Sequence, residues 1–391
     1  MSALDPRAIL AGRSTARPSV GTILLIAISS VCLLVALFVI ALEGPTFAVG
    51  LLLALLPLPL LLSGILALDR LEPEPPDALL LAFLWGAGVA VLVAMFVNTL
   101  GYALLLEPLF GPDLGQYLSA TLGAPVVEET LKGAVLFGML WLRRHELNGP
   151  TDGIIYGSMV GLGFATVENV SYYTATAQLG ELEATFLARG ILTPLLHPLC
   201  TSLTGVGIAA AATRRPGPGR LVPAFVGLAG AMALHALWNG STAFGFAGVV
   251  FAYGVGFVVL VALLVVVRRD RTRTVAMVGR YLPPYAATGA VTAQDVRMLA
   301  SMPARRAARV WARGAGGTAT ARAMTDYQQA AVELALLHQR ADRGGIERAE
   351  FEMRRQPLVA LMYAARQAFL GAEAARRLRG SGPAAPPGLL R

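Results

Sequence analysis

The 391 residues are 55% hydrophobic and only 14% charged, with a mean hydropathy of +0.62. Soluble domains carry about 25% charged residues, so a wholly soluble protein is excluded, as are a disordered chain and a collagen. Cys32 and Cys200 both lie in apolar runs, which excludes a disulfide framework and a thiolate zinc site.

The net charge of +8 is unevenly placed. Residues 268–391 hold 21 Arg, no Lys and nine acidic residues, whereas residues 1–267 are slightly acidic. Basic tails of this kind lie in the cytoplasm beside anionic lipid. No nucleic-acid partner is expected.

A bilayer crossing needs about 20 apolar residues. Eight runs qualify: 20–42, 47–68, 79–106, 115–142, 153–176, 186–212, 221–241 and 247–267. The intervening loops alternate in charge. Arg7, Arg13, Arg17, Arg70, Arg143, Arg144, Arg214, Arg215 and Arg220 all fall on one side, and the four loops on the other side have no Lys or Arg. The positive-inside rule then predicts eight transmembrane helices with both termini cytoplasmic. The expected fold class is an all-α polytopic membrane protein with a helical cytoplasmic C-terminal tail. Its parts are a cytoplasmic segment 1–19, a membrane domain 20–267, a basic helical region 268–379 and a disordered tail 380–391.

Within the tail, Thr292 is placed to cap a helix through about Arg313, and Thr318 a second ending near Arg343. A third fits Ile346 to Arg379. Gly314, Gly316, Gly317, Gly344 and Gly345 punctuate them.

A charged side chain within a span costs roughly 2.5–3.5 kcal/mol on insertion scales and marks a candidate site. The first three spans carry no ionisable group at depth. The fourth carries Glu128, Glu129 and Lys132, the only lysine in the chain. The fifth carries Glu168 beside Asn169, the sixth Arg189 and His197, and the seventh His235 and Asn239. At about 1.5 Å per residue, Glu128, Glu168, His197 and His235 converge within a turn or two of the middle of a core about 30 Å thick. Glu128 and Lys132 are i, i+4, as are Phe164 and Glu168, and His235 and Asn239, so each pair shares a helix face. Gly153, Gly157 and Gly161 form a small-residue ridge for close helix packing.

These residue types support peptide hydrolysis. A buried carboxylate can act as general base. A His₂Glu set holds catalytic zinc and leaves a position for water, while His with Asn can instead donate to an oxyanion. H-E-x-x-H, G-x-S-x-G, paired intramembrane aspartates and a P-loop are all missing.

Glu128-Glu129-Thr-Leu-Lys132 resembles the E-E-x-x-K motif of the PrsW family of intramembrane proteases. Phe164-Ala-Thr-Val-Glu168-Asn169 resembles its F-x-x-x-E block, and Arg189, Thr193-Pro194-Leu-Leu-His197 and His235-Ala-Leu-Trp238-Asn239 resemble its later blocks. The resemblance covers about residues 115–241. The related CAAX prenyl endopeptidases carry His where this chain has Glu168. The resemblance implies cleavage of a membrane-anchored protein, such as an anti-sigma factor, in a bacterial plasma membrane. It further implies that Glu128 and Glu129 activate water and that Glu168, His197 and His235 bind a metal, Zn2+ being the candidate, or stabilise the oxyanion. Two other classes stay open at this stage. One is a proton- or ion-coupled transporter, since intramembrane Glu and His also relay protons. The other is a non-catalytic membrane scaffold.

Overall fold

The computed structural model describes residues 18–68, 73–215 and 217–378. The expected disordered tail 380–391 and residues 1–17 of the N-terminal segment lie outside the described residues. All described elements are helical, with no strand among them.

Two compact units are present, one built from residues within 18–70 and 74–267 and the other from residue 268 onward. The first contains α1 (Val20–Ala41), α2 (Phe47–Leu68), α3 (Pro76–Phe110), α4 (Ala124–Leu142), α5 (Pro150–Leu179), α6 (Leu196–Thr213) and α7 (Val222–Ser241). Helix α8 (Gly245–Tyr281) runs from the first unit into the second.

Among the described residues, five stretches are long and apolar enough to cross a membrane: Val20–Ala41, Phe47–Leu68, Pro76–Phe110, Leu182–Thr213 and Val222–Tyr281. The sequence predicts eight passes, and the difference has a physical origin. Helix α4 carries three charges of its own, and α5 is diluted by Gly, Ser, Thr, Glu and Asn. Val222–Tyr281 counts as one stretch although Gly245, at φ +61°, breaks it between α7 and α8.

Helix α5 is the centre of the first unit. Pro150 supplies a preset first turn, and the Asp152 carboxylate accepts the N–H groups of Asn148 and Gly149 at 2.6 and 3.0 Å. Gly180, left-handed at φ +75°, ends the helix. Between these limits nearly every side chain from Thr151 to Val167 is buried.

One face of α5 is the glycine ridge. A Cβ on Gly153, Gly157 or Gly161 would lie 2.1–2.6 Å from the carbonyl oxygens of Gly205, Thr201 and His197 on α6. The α5–α6 backbones therefore touch, which places His197 and Thr201 directly against α5. On another face, a Cβ on Gly163 would lie 2.1 Å from the Phe83 carbonyl of α3. Small residues at such contacts replace the hydrophobic drive that lipid cannot supply.

The second unit contains α9 (Ala293–Leu299), α10 (Met302–Asp342) and α11 (Arg348–Leu378). Thr292 caps α9, its hydroxyl accepting the Asp295 N–H at 3.1 Å. Gly316 and Gly317 have non-helical backbone, so α10 is two helices joined by a turn. Arg305 reaches Gln328 across that turn, so the two halves form a hairpin. Met324, Tyr327, Ala331 and Leu334 pack with Leu358, Met362, Ala365 and Phe369 in its core.

Candidate functional site

Four helices deliver the polar side chains. Glu128, Glu129 and Lys132 come from α4, Glu168 from α5, His197 from α6 and His235 from α7. Glu129 and Lys132 are fully buried, and Glu128, His197 and His235 are nearly so.

The Lys132 ammonium is the hub. It donates to Glu129 Oε1 at 2.9 Å, to Glu128 Oε2 at 3.3 Å and to His197 Nδ1 at 2.9 Å. It also lies 3.8 Å over the Phe164 ring, a desolvated cation–π contact.

These contacts assign both imidazole tautomers. An ammonium only donates, so His197 Nδ1 accepts. Its Nε2 then carries the hydrogen and donates to Glu168 Oε2 at 2.9 Å. His235 Nδ1 donates to Glu129 Oε1 at 3.1 Å, leaving the Nε2 lone pair 3.9 Å from Glu128 Oε2. Each ring thus has one nitrogen fixed on a carboxylate and a lone pair on the other. The two rings meet edge to face with centroids 5.0 Å apart.

The two glutamates of α4 are unequally bound. Glu129 accepts Lys132 and His235 on Oε1 and the Thr201 hydroxyl on Oε2 at 3.1 Å. Glu128 has one contact from Lys132 and, on Oε1, one from the Asn98 amide at 3.5 Å. Glu128 is the less engaged base.

Glu128, His197 and His235 each offer a ligand atom, and these atoms lie within 4.8 Å of one another. This is a His₂Glu donor set, with each imidazole anchored on its far side by a carboxylate, as metal-binding imidazoles are. The residues therefore fit a divalent ion of the zinc type. An ion taken at His197 Nδ1 costs the Lys132–His197 hydrogen bond and leaves Lys132 on its two carboxylates.

The grouping differs from the expected metal set in one member, since Glu128 joins the two histidines where Glu168 was expected. Glu168 is instead engaged from its outer side by the Arg189 guanidinium and from its inner side by His197 Nε2. Arg189 also donates to Asn169 Oδ1 at 2.7 Å and stacks on Tyr172. Asn239 lies one turn beyond His235, but its amide donates to the Ala120 carbonyl at 2.8 Å, in the π-helical turn that precedes α4. It ties α7 to that turn rather than joining the Glu–His network.

Asn98 and Thr201 are site residues that the sequence reading omits. Thr201 is signalled by its i, i+4 spacing from His197, and Asn98 by being an amide inside an otherwise apolar run.

Residues 74–267 match the family described as PrsW family intramembrane metalloprotease. The chain belongs to the PrsW family. Protease PrsW of Geobacillus kaustophilus (strain HTA426) is 32% identical over 145 residues, covering 37% of this chain and 59% of that protein. Protease PrsW of Bacillus subtilis (strain 168) is 35% identical over 112 residues, covering 29% and 48%. That of Clostridioides difficile (strain 630) is 34% identical over 128 residues, covering 31% and 49%. The matched stretches span about half of these curated relatives. No solved structure matches the chain.

Proposed function

We propose that this chain is an intramembrane endopeptidase that hydrolyses a membrane-anchored protein. The observation that carries the reading is the buried His₂Glu group with its two imidazoles fixed by Glu168 and Glu129. PrsW-family membership supports it. The cell membrane of a bacterium is the expected location, and an anti-sigma factor with a single span is the kind of substrate that fits.

Glu128, His197 and His235 would hold the ion, Zn2+ being the candidate. It would supply Lewis-acid polarisation of the scissile carbonyl and acidify the attacking water. The protein does the rest. The Glu128–Glu129 pair takes the proton from water, through a carboxylate oxygen that the ion and Lys132 leave free, and returns it to the leaving amine. Glu129, held by Thr201 and Lys132, fixes His235. Lys132 offsets the charge of two carboxylates that burial alone would disfavour. The dry walls of α5 and α6 strengthen each of these interactions.

Eight passes with cytoplasmic termini go with this reading. Helices α4 and α5 cross despite their polar side chains because those chains face one another, and Gly245 divides Val222–Tyr281 into two passes. Cysteine labelling from outside should reach loop 177–185 and spare loop 213–220.

The deciding experiment co-expresses the chain with single-span reporter proteins and purifies it for metal analysis. Wild type should cut a reporter and carry about one divalent ion per chain, the count a single three-ligand site allows. Glu128→Gln and Glu129→Gln should each lower cleavage by on the order of 10²-fold or more. A double variant cutting at the parental rate would refute the reading.

A further inference from the structure

The second unit carries a separate feature, a buried guanidinium without a counter-anion. Arg305, in the first turn of α10, is only 2% exposed. Its Nη2 donates to the Gln328 carbonyl at 3.3 Å, and its Nη1 is buried with no hydrogen-bond partner among the described residues. No carboxylate there lies within ion-pair distance of it.

A second guanidinium lies beside it. Arg309, one turn along, donates to Gln328 Oε1 at 2.6 Å and adds a second positive charge. Gln328 is used in full, since its Nε2 donates back to the Arg305 carbonyl at 3.0 Å. The first turn of α10 contains no acidic residue to answer the helix dipole. Asp326 lies two residues from Gln328, but its own Oδ2 is buried and unpartnered, so the two charges do not meet. Burial, reinforced by Arg309, pulls the Arg305 guanidinium down to about 10. That still leaves it charged at neutral pH, because arginine cannot shed its proton there.

A lysine so placed would neutralise itself, whereas an arginine must be answered by an anion. We propose that Arg305 and Arg309, one turn apart on α10 and both held by Gln328, form a binding site for a phosphate group. A guanidinium fork backed by a second arginine suits phosphate oxygens, which accept bidentate hydrogen bonds. Gln328 holds both arginines in place by accepting from each. The phosphate has two possible sources, a soluble phosphate or an anionic phospholipid headgroup. The 21 Arg and nine acidic residues of 268–391 favour the approach of either.

Hydrogen exchange of the full chain in nanodiscs, read on peptides covering residues 301–331, tests the site. In phosphatidylcholine discs, inorganic phosphate at ten times its dissociation constant should slow exchange about tenfold relative to chloride at equal ionic strength. If phosphate has no effect but discs containing phosphatidylglycerol protect the same peptides, the ligand is a lipid headgroup. Arg305→Met should abolish the response, while Arg306→Met, which removes an exposed charge next door, should keep it. If Arg305→Met fails to fold, Arg309→Met serves instead and should weaken the response severalfold. Absence of protection by both phosphate and phosphatidylglycerol, or a wild-type response in Arg305→Met or Arg309→Met, overturns the proposal.

Discussion

Lys132 Nζ and His197 Nδ1 are 2.9 Å apart, and this contact between α4 and α6 sets the proton inventory of the whole site. It makes His197 a neutral ring with its hydrogen on Nε2. It also means that Lys132 serves three acceptors at once. Lys132→Ala leaves two buried carboxylates unanswered, and breaking a buried pair costs about 3–5 kcal/mol. The variant should therefore show a lower melting temperature in detergent and a lower steady-state level in the membrane. Normal stability with lost activity would assign Lys132 to chemistry alone.

The Glu168–His197 contact gives a second prediction. If Glu168 anchors the ring from behind, Glu168→Gln should keep the metal site assembled but weaken it by about 10–100-fold, the usual effect of losing such an anchor. His197→Ala and His235→Ala remove ligands and should abolish binding. Calorimetric titration of the purified protein with Zn2+ separates the two cases. Equal loss in Glu168→Gln and His197→Ala would return Glu168 to the ligand set.

Much of this site was legible in the sequence because a bilayer makes polarity conspicuous. Glu128, Glu129, Lys132, Glu168, His197 and His235 stand out as ionisable groups in apolar runs, and the structure brings all six together. Roles were harder to read. Whether Glu168 faces a metal or the back of an imidazole depends on two rotamers and on Arg189, none of which periodicity records. Asn98 and Thr201 are neutral, cheap to bury, and common in membrane helices for other reasons. The helix break in the tail was legible because Gly316 and Gly317 interrupt a run of strong helix formers, whereas the hairpin it makes was not. The unpaired Arg305 was not, since its burial follows from how the hairpin closes.

Asp326 makes the second unit sensitive to pH. Burial raises its carboxyl from the ordinary 3.8 to about 6, with Arg322 opposing only in part. A folded-state value above the unfolded one means that the acid form is favoured by folding. Stability from this group is therefore full below about pH 3.8 and is lost as pH rises through about 6. The residue is only partly buried, so the effect should be on the order of 1 kcal/mol after solvent screening. Asp326→Asn should slow hydrogen exchange across residues 318–342 at pH 8, and the advantage should vanish near pH 4. A difference of constant size at both pH values would contradict this.

The α5–α6 contact supplies the last prediction. A Cβ on Gly205 would lie 1.8 Å from the Gly153 carbonyl oxygen, and real Cβ atoms do not approach backbone oxygen within 3.0 Å. Gly205→Ala must therefore push α6 away from α5 by on the order of 1 Å, since neither backbone can yield locally without breaking helical hydrogen bonds. His197 and Thr201 ride on α6, and their partners Glu168 and Glu129 lie on α5 and α4. A displacement of about 1 Å in a catalytic group costs about 10²-fold in rate. Gly138→Ala on α4 is the matched control, because its Cβ would meet nothing within 4 Å and alanine is the better helix former. The expected result is severe loss of reporter cleavage in Gly205→Ala with preserved insertion and helix content, and parental cleavage in Gly138→Ala. Parental cleavage by Gly205→Ala would show that the close backbone contact is not what holds the site together.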